Sequence, residues 1–141
     1  MTELSARREA EIRASFARQT LLDTLGGQIV DLAPGTCTLS APILPIARQQ
    51  HGVGHAGLTF TLGDTAAGYA AATLIPEGQD VMTAEIKINL LRPAAGERLI
   101  AVGRVVKPGR KLVVVTAEVF AEDAAGARKL IAILQGTMVP A

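Results

Sequence analysis

Asp64 is the one residue with a formal charge at neutral pH between Gln49 and Pro76. A carboxylate buried without a partner in an apolar segment costs on the order of several kcal/mol. The sequence therefore predicts that Asp64 is paired, faces a cleft, or takes part in a reaction. Two structural alternatives remain open: its side chain can face solvent, or it can cap a neighbouring backbone amide.

Two histidines precede this carboxylate, His55 by nine residues and His51 by thirteen. His55 falls at the start of the predicted helix, where an imidazole can be a catalytic base or a structural hydrogen-bonding group. Two histidines four residues apart can share a metal ion on one helical turn. Gly52 and Gly54 interrupt that turn and no third ligand is evident, so a metal site is not expected.

The start of the predicted helix also offers hydrogen-bond donors. The first amides of a helix have no acceptor within it and lie at the positive end of its dipole. The backbone N–H groups of Ala56 and Gly57 are therefore candidate donors to an oxyanion, and Gly57 leaves room for a substrate carbonyl. Asp64, about two turns further along, is expected on the other side of that carbonyl, where it can activate water or attack directly. This pattern indicates acyl transfer to water.

One face of this helix is nearly free of bulk. Helical spacing gathers seven residues there, of which Phe60 alone is large. A thin substrate chain or a partner's backbone can lie along such a face. The seven residues are Gly57, Phe60, Thr61, Asp64, Ala67, Gly68 and Ala71.

The order of elements predicts a single α+β domain over residues 1–141. Turn residues separate a first helix and two strands from a long, nearly uncharged helix and four further strands. The predicted helices cover residues 2–24, closed by Gly26 and Gly27, and 58–74. The predicted strands cover residues 28–32, 36–43, 81–91, 98–107, 111–121 and 129–139.

Short links at residues 93–96, 108–109 and 123–126 join the last four predicted strands. Such links favour hairpins, so these strands are expected to form an antiparallel meander. Polar and apolar residues alternate from Glu85 to Leu90, which is typical of a sheet with one wet and one packed face. The glycines and alanines of the long helix lower its helix propensity, which fits a sheet wrapped closely around it.

Composition argues against several classes of protein. The 14 basic and 13 acidic side chains leave a net charge of +1, and with three Phe, one Tyr and no Trp the chain is not expected to bind nucleic acid. The apolar stretch 58–75 contains Asp64 and two glycines, Gly63 and Gly68, so a membrane span is not expected. The single cysteine, Cys37, excludes an intrachain disulfide, and with a charged amino terminus it predicts a cytoplasmic location.

Two stretches of the chain resemble one enzyme family. The first runs from Gln49 to Gly57 and continues from Leu62 to Tyr69, and the second runs from Glu85 to Pro93. Both are similar to the hotdog-fold acyl-CoA thioesterases of the phenylacetate-degradation (PaaI-like) type. The similarity covers about residues 20–140, and the histidine-to-aspartate spacing of nine is its most specific part.

The resemblance implies a fold, an assembly and an activity. A long central helix is wrapped by an antiparallel sheet of about five or six strands. The resemblance further implies homodimers that pair into homotetramers, with active sites at the dimer interface. The activity it implies is hydrolysis of an acyl-CoA or aryl-CoA to the free acid and CoA, with no cofactor beyond the coenzyme A that is part of the substrate.

The resemblance also implies roles for individual residues. Asp64 falls on the family's catalytic carboxylate, supplied across the interface, and His55 with the Ala56 amide falls on the pair that polarises the thioester carbonyl. Gln49 falls near the attacking water, and Thr83 falls where some relatives have a hydroxyl in the site. Two positions depart from the family pattern: Ala56 replaces the first glycine of a histidine-glycine-glycine motif, and Gln49 replaces an asparagine.

A cationic turn at residues 108–109 is a candidate binding site for the phosphates of CoA. In the family this region lies near the nucleotide. An ordinary solvated hairpin end is the structural alternative. The residues concerned are Arg104, Lys107, Gly109 and Arg110, with Lys111 beside them.

Two other functions remain open. Hotdog hydratases and dehydratases also combine histidine with a carboxylate, although their spacing differs and a proline usually flanks the histidine. A non-catalytic acyl-CoA-binding protein is the third possibility. The acyl group is expected to be selected by residues such as Phe60 and Leu90 at an interface between chains.

Overall fold

The structure is a computed structural model that describes residues 3–141. One long helix packs against one antiparallel sheet. The helices are α1 (Ala6–Ala17), α2 (Thr20–Thr24) and α3 (Ala56–Ala72), with a short 3-10 helix at Pro45–Ala47. The strands are β1 (Gln28–Ala33), β2 (Thr36–Pro42), β3 (Val81–Leu90), β4 (Arg98–Lys107), β5 (Val113–Glu122) and β6 (Arg128–Pro140). Within residues 3–141 no helix is both long and apolar enough to cross a membrane.

The six strands follow the order β1-β2-β4-β5-β6-β3, and each neighbouring pair is antiparallel. The predicted β4–β5 and β5–β6 hairpins are confirmed, and β1 and β2 also form a hairpin. The expected β3–β4 hairpin is wrong, because β3 pairs with β6 and lies at the sheet edge. The link between β3 and β4 is anchored elsewhere: Ala94 is 5% exposed, and its carbonyl accepts a hydrogen bond of 2.8 Å from the Gly54 N–H in the loop before α3.

The helix predicted over residues 2–24 is divided into two. Its first residue lies outside the described part of the chain, and α1 begins after Ser5, whose side chain accepts a hydrogen bond from the Arg8 N–H. The break falls before α2 at Gln19, whose backbone is extended (φ −81°, ψ 97°). The Gln19 side chain instead donates to the Tyr69 hydroxyl at 2.8 Å, and Arg8 donates to the Ala72 carbonyl at 2.9 Å. Both bonds tie the amino-terminal helices to α3.

Small residues let α3 lie close to the sheet. A Cβ atom at Gly103 on β4 would be 2.3 Å from the Ala66 carbonyl oxygen of α3. On the helix, a Cβ at Gly63 would be 2.8 Å from Leu134 Cδ1 on β6. The close approach expected from the helix composition is therefore confirmed, and it fixes the height and rotation of α3 over the strands.

We expect Gly103→Ala to lower the free energy of unfolding by roughly 2–3 kcal/mol, because the new methyl group would collide with helix backbone rather than with a movable side chain. Urea unfolding followed by circular dichroism measures the change. Val106→Ile is the matched control, since it adds one carbon in the same strand to a side chain that is 61% exposed. Equal unfolding midpoints for the two variants would contradict the close contact.

Candidate active site

Asp64 lies half-buried on α3, in a cleft of about 330 Å³ between α1 and the start of β3. Its Oδ1 accepts a hydrogen bond of 2.7 Å from Thr83 Oγ1. Over residues 3–141 its second oxygen has no hydrogen-bond partner, and no cation lies within salt-bridge distance. The side chain is thus neither fully solvated nor a cap on a backbone amide. It keeps one oxygen free to take a proton or attack a carbon.

A β-bulge aims Thr83 at this carboxylate. The register of β3 on β6 shifts after Thr83, so that Ala84 is an extra residue. Side chains alternate along a strand, and without the extra residue Thr83 and Ile86 would face opposite sides. With it, both face α3, and Thr83 Oγ1 also lies 3.3 Å from Met138 Sδ beneath the cleft. The resemblance predicted Thr83 in the site, and the bulge explains how its side chain comes to face Asp64.

His55 caps the start of α3. Its Nδ1 accepts a hydrogen bond of 2.7 Å from the Gly57 N–H. The prediction that Gly57 offers a free amide is therefore wrong, because capping already occupies that donor. The Ala56 N–H has no acceptor among residues 3–141 and stays available. Since Nδ1 is an acceptor, neutral His55 carries its hydrogen on Nε2 and presents a donor rather than a base.

The Ala56 amide lies beside a second cleft, of about 580 Å³, that is also lined by Gln49, Leu90 and Leu91. Gln49 is half-buried, and its Oε1 accepts a hydrogen bond from the His51 N–H. The Gln49 Nε2 has no acceptor among the described residues, so its hydrogens are available to a ligand. The cleft therefore combines a backbone donor and an amide donor with an apolar wall.

Arg48 stabilises the loop that carries Gln49, a role that no sequence pattern indicated. Its guanidinium donates to the Gly52 carbonyl at 2.7 Å and to the Ile43 carbonyl at 2.8 Å. A further bond of 2.8 Å runs from the His55 N–H to the Ala47 carbonyl. A lone arginine in a glycine-rich segment has no local pattern that would indicate such a role.

The two clefts do not meet within one chain. Ala56 and Asp64 are eight residues apart on α3, which is about 12 Å along the helix axis. As far as residues 3–141 define them, the two clefts share no lining residue. One carbonyl cannot contact both groups, so the single-chain arrangement expected from helix spacing is wrong.

An open surface joins the two clefts along α3. Most of the face predicted to lack bulk is open, with Phe60 37% exposed, whereas Ala67 and Ala71 are buried under the sheet. Beside this face, one edge of β3 pairs with β6 and the other edge has no strand partner among residues 3–141. The open part of the face consists of Gly57, Phe60, Thr61, Asp64 and Gly68.

The predicted cationic turn lies at the Asp64 end of the sheet. Val113, the first residue of β5, is opposite Met138, which is opposite Thr83, so the start of β5 is about 10 Å from Thr83 across two strand spacings. Lys107 and Arg110 are exposed, and within the described chain no carboxylate lies within salt-bridge distance of them. Gly109 lies in the turn between them.

Arg104 stands apart from the turn. Its neighbour Gly103 faces α3, and successive side chains alternate, so Arg104 projects from the outer face of the sheet. Lys107 starts from the same outer face, since it lies opposite Val114, but it is the last residue of β4, so Arg104 lies furthest from the turn among the residues of the predicted CoA site.

Cys37 does not contribute a nucleophile to either cleft. It is fully buried on β2, and burial raises the pKa of its thiol to about 12, so the thiolate is scarce at neutral pH. Among residues 3–141 no three His, Cys, Asp or Glu side chains are grouped closely enough to hold a metal ion.

Known proteins resemble this arrangement in sequence and structure. Residues 51–127 match the model of the thioesterase superfamily. A thioesterase family protein from Silicibacter pomeroyi superposes with a TM-score of 0.91 and 43% identity, covering 94% of this chain and 97% of that one. A Saccharolobus solfataricus protein whose name assigns it provisionally to the esterases is 30% identical over 106 residues, 75% of this chain and 70% of its own length. The PaaI protein of the E. coli phenylacetic acid degradation operon has a TM-score of 0.84 at 24% identity, covering 98% of this chain and 96% of that one, which shows a common fold.

Proposed function

Because the chain belongs to the thioesterase superfamily, we propose that it hydrolyses the thioester of an acyl-CoA or aryl-CoA to the free acid and coenzyme A. The family and the hotdog fold, both predicted from the sequence, are confirmed, and they make the chain a hydrolase. The observation that carries the substrate proposal is the half-buried Asp64 carboxylate, with one oxygen held by Thr83 and the other free in a cleft.

The complete site is shared between two chains. Within one chain the Ala56 amide and Asp64 are about 12 Å apart on the same helix face. A two-fold axis that pairs the free edges of β3 and sets the open faces of two α3 helices antiparallel would bring each Asp64 opposite the other chain's Ala56. A dimer of this kind covers the unpaired strand edge and completes two sites at once. Further pairing of dimers into a tetramer is the assembly that the resemblance implies.

The chemistry follows from the groups that each chain contributes. The Ala56 N–H and the His55 Nε2–H donate to the thioester oxygen and stabilise the negative charge that develops on it. The free oxygen of Asp64 takes a proton from water as the water oxygen bonds to the carbonyl carbon. The C–S bond then breaks, and the proton leaves with the thiolate of CoA. Gln49 Nε2 is a donor suited to holding that water, and Thr83 fixes the carboxylate rotamer.

Direct attack by Asp64 is the second route that this geometry permits. It forms a bond from the carboxylate oxygen to the acyl carbon and expels the thiolate, and water later cleaves the resulting anhydride. A single turnover in labelled water distinguishes the routes, because only the anhydride route leaves label in the enzyme.

Two features of the clefts suggest where the halves of the substrate lie. Phe60, Leu90 and Leu91 are more than a third exposed and form an apolar surface suited to the acyl group. Lys107 and Arg110 at the turn are suited to the phosphates of CoA. Arg104, on the outer face, is not part of this proposal.

Asp64→Asn tests the proposed function. It keeps the size and the Thr83 contact but removes the proton acceptor, so we expect release of free thiol from acyl-CoA to fall by at least about 100-fold. Thiol release is followed with a disulfide reagent over a panel of acyl-CoA and aryl-CoA thioesters. Glu118→Gln, an exposed carboxylate on the outer sheet face, is the control and is expected to retain parental turnover. Undiminished hydrolysis by Asp64→Asn, hydration of an enoyl-CoA, or binding of acyl-CoA without turnover by the parent would each reject the proposal.

Ala56→Pro tests the oxyanion donor alone. Proline is tolerated at the first helical position, and the preceding residue, His55, already has the extended backbone (φ −65°, ψ 146°) that proline requires. The substitution therefore removes one N–H with little other change, and we expect kcat to fall roughly 100-fold to 1000-fold. Ala56→Gly keeps the N–H and is expected to stay near the parental rate.

Mixing the two inactive variants tests whether the site is shared. In a mixed dimer of Asp64→Asn and Ala56→Pro chains, one site receives both intact groups and the other receives neither. After subunit exchange we expect about a quarter of the parental activity per chain to return. Activity that stays at the level of the separate variants would show that each chain builds its own site.

Arg110→Ala tests the phosphate site. We expect KM for acyl-CoA to rise roughly threefold to tenfold with kcat nearly unchanged, because the lost contact is made equally before and during the reaction. Lys129→Ala, at the opposite end of the sheet, is the control. Equal kinetic constants for Arg110→Ala and the parent would restore the solvated hairpin interpretation.

A further inference from the structure

A polar wall from α1 closes the Asp64 cleft on one side. Ser15 and Gln19 line this cleft together with Tyr69, which follows Asp64 by five residues on α3. The Tyr69 hydroxyl lies 2.9 Å from Ser15 Oγ and accepts a hydrogen bond of 2.8 Å from Gln19 Nε2. Phe16 holds the Tyr69 ring edge-on, with ring centroids 6.0 Å apart. Three polar side chains are therefore fixed about one helical turn from the catalytic carboxylate.

Among residues 3–141 this group has two donor hydrogens and one acceptor without partners: one hydroxyl hydrogen, the second Nε2 hydrogen of Gln19, and Gln19 Oε1. Ser15 and Tyr69 have one hydroxyl hydrogen each, and only one of these can lie between their two oxygens. Whichever hydroxyl donates, the hydrogen of the other has no acceptor among residues 3–141. The Oε1 of Gln19 likewise has no donor in the described chain. One hydrogen and one carbonyl oxygen are the complement of a secondary amide.

The Asp64 cleft continues towards the cationic turn. Ser15, Tyr69 and Asp80 line both the Asp64 cleft and an adjoining cleft of about 290 Å³ between α1 and the segment before β3. Gln79 lines that second cleft and also a third, of about 530 Å³, whose wall includes Arg110. Shared lining residues thus place the three clefts in a row between Asp64 and Arg110, and this row is called the groove below.

We propose that Ser15, Gln19 and Tyr69 form a subsite that binds an amide of the thiol half of the substrate, the pantetheine arm of coenzyme A. This inference rests on the proposed function, because it assumes a thioester at Asp64. The arm carries secondary amides between its sulfur and its phosphates, which is the order of chemistry along the groove. Tyr69 lies within residues 51–127, which match the superfamily model, whereas Ser15 and Gln19 lie outside them, so the amino-terminal segment supplies two of the three subsite residues. The three residues are positioning residues and do not contact the reacting atoms.

The test uses butanoyl thioesters that differ only in the thiol: coenzyme A, pantetheine, N-acetylcysteamine and ethanethiol, the last of which has no amide. For Gln19→Leu and Ser15→Ala we expect kcat/KM to fall roughly tenfold on the three amide-bearing thioesters, mostly through KM, and to be unchanged on the ethyl thioester. Ser15→Thr keeps the hydroxyl and is expected to restore the parental values. Ala17→Ser, an exposed α1 position that lines none of the three clefts, is the control.

Other results would overturn the subsite. An equal loss on the ethyl thioester would mean that the wall only supports Asp64. A different outcome is that the variants lose kcat/KM on 3-hydroxybutanoyl thioesters and not on butanoyl thioesters, whatever the thiol. That result would mean that the polar wall contacts the acyl half of the substrate. Calorimetry with free CoA gives a readout without turnover, and Gln19→Leu is expected to weaken that binding about tenfold. If the parent binds CoA with this difference but hydrolyses no thioester, the subsite stands and the proposed hydrolysis fails.

Discussion

The close contact between α3 and the sheet is the constraint on which the site depends. Gly103 lets the Ala66 carbonyl rest almost on the β4 backbone, so α3 can neither rise nor rotate freely. One residue of rotation is about 100° on a helix, enough to turn Asp64 from the cleft into the sheet. Because the helix is held in this orientation, a single hydroxyl on β3 is sufficient to fix the carboxylate. The small residues of α3 lower its helix propensity, but they also permit the close packing that fixes its position and rotation on the sheet.

Much of the fold could be predicted from the sequence because its signals are local. Strand-length segments bounded by turn residues located every strand to within about two residues of its observed ends, and the apolar run located α3 in the same way. Asp64 stood out for a local reason as well, since it is the lone charge in that run. The free amide at Ala56 followed from the general chemistry of helix starts, and only the structure showed that His55 takes the Gly57 amide for itself.

The remaining parts of the site depend on residues that are distant in the chain. The bulge after Thr83 is defined by pairing with β6, more than fifty residues later, so its effect on side-chain direction is absent from the β3 sequence. Gln19 reads as an ordinary helical residue, yet the helix breaks there and its side chain reaches Tyr69. Helix propensity does not predict this break, because the hydrogen bond from Gln19 to Tyr69 joins residues 50 apart and forms only when the chain folds.

The error in strand order is informative about function. In this sheet β2 and β5 occupy the two edges of β4, so a β3–β4 hairpin that kept both strands in the sheet would have inserted β3 between β2 and β4. The free edge of β3 would then have been unavailable to another chain. Anchoring Ala94 under the loop before α3 sends the chain across the sheet and leaves β3 at the edge, beside the open face of the helix. The loop that presents the Ala56 amide is thereby also the loop that keeps β3 free. The Ala56 amide and the free edge of β3 thus depend on one hydrogen-bonded junction, and the two-chain site proposed above requires both of them.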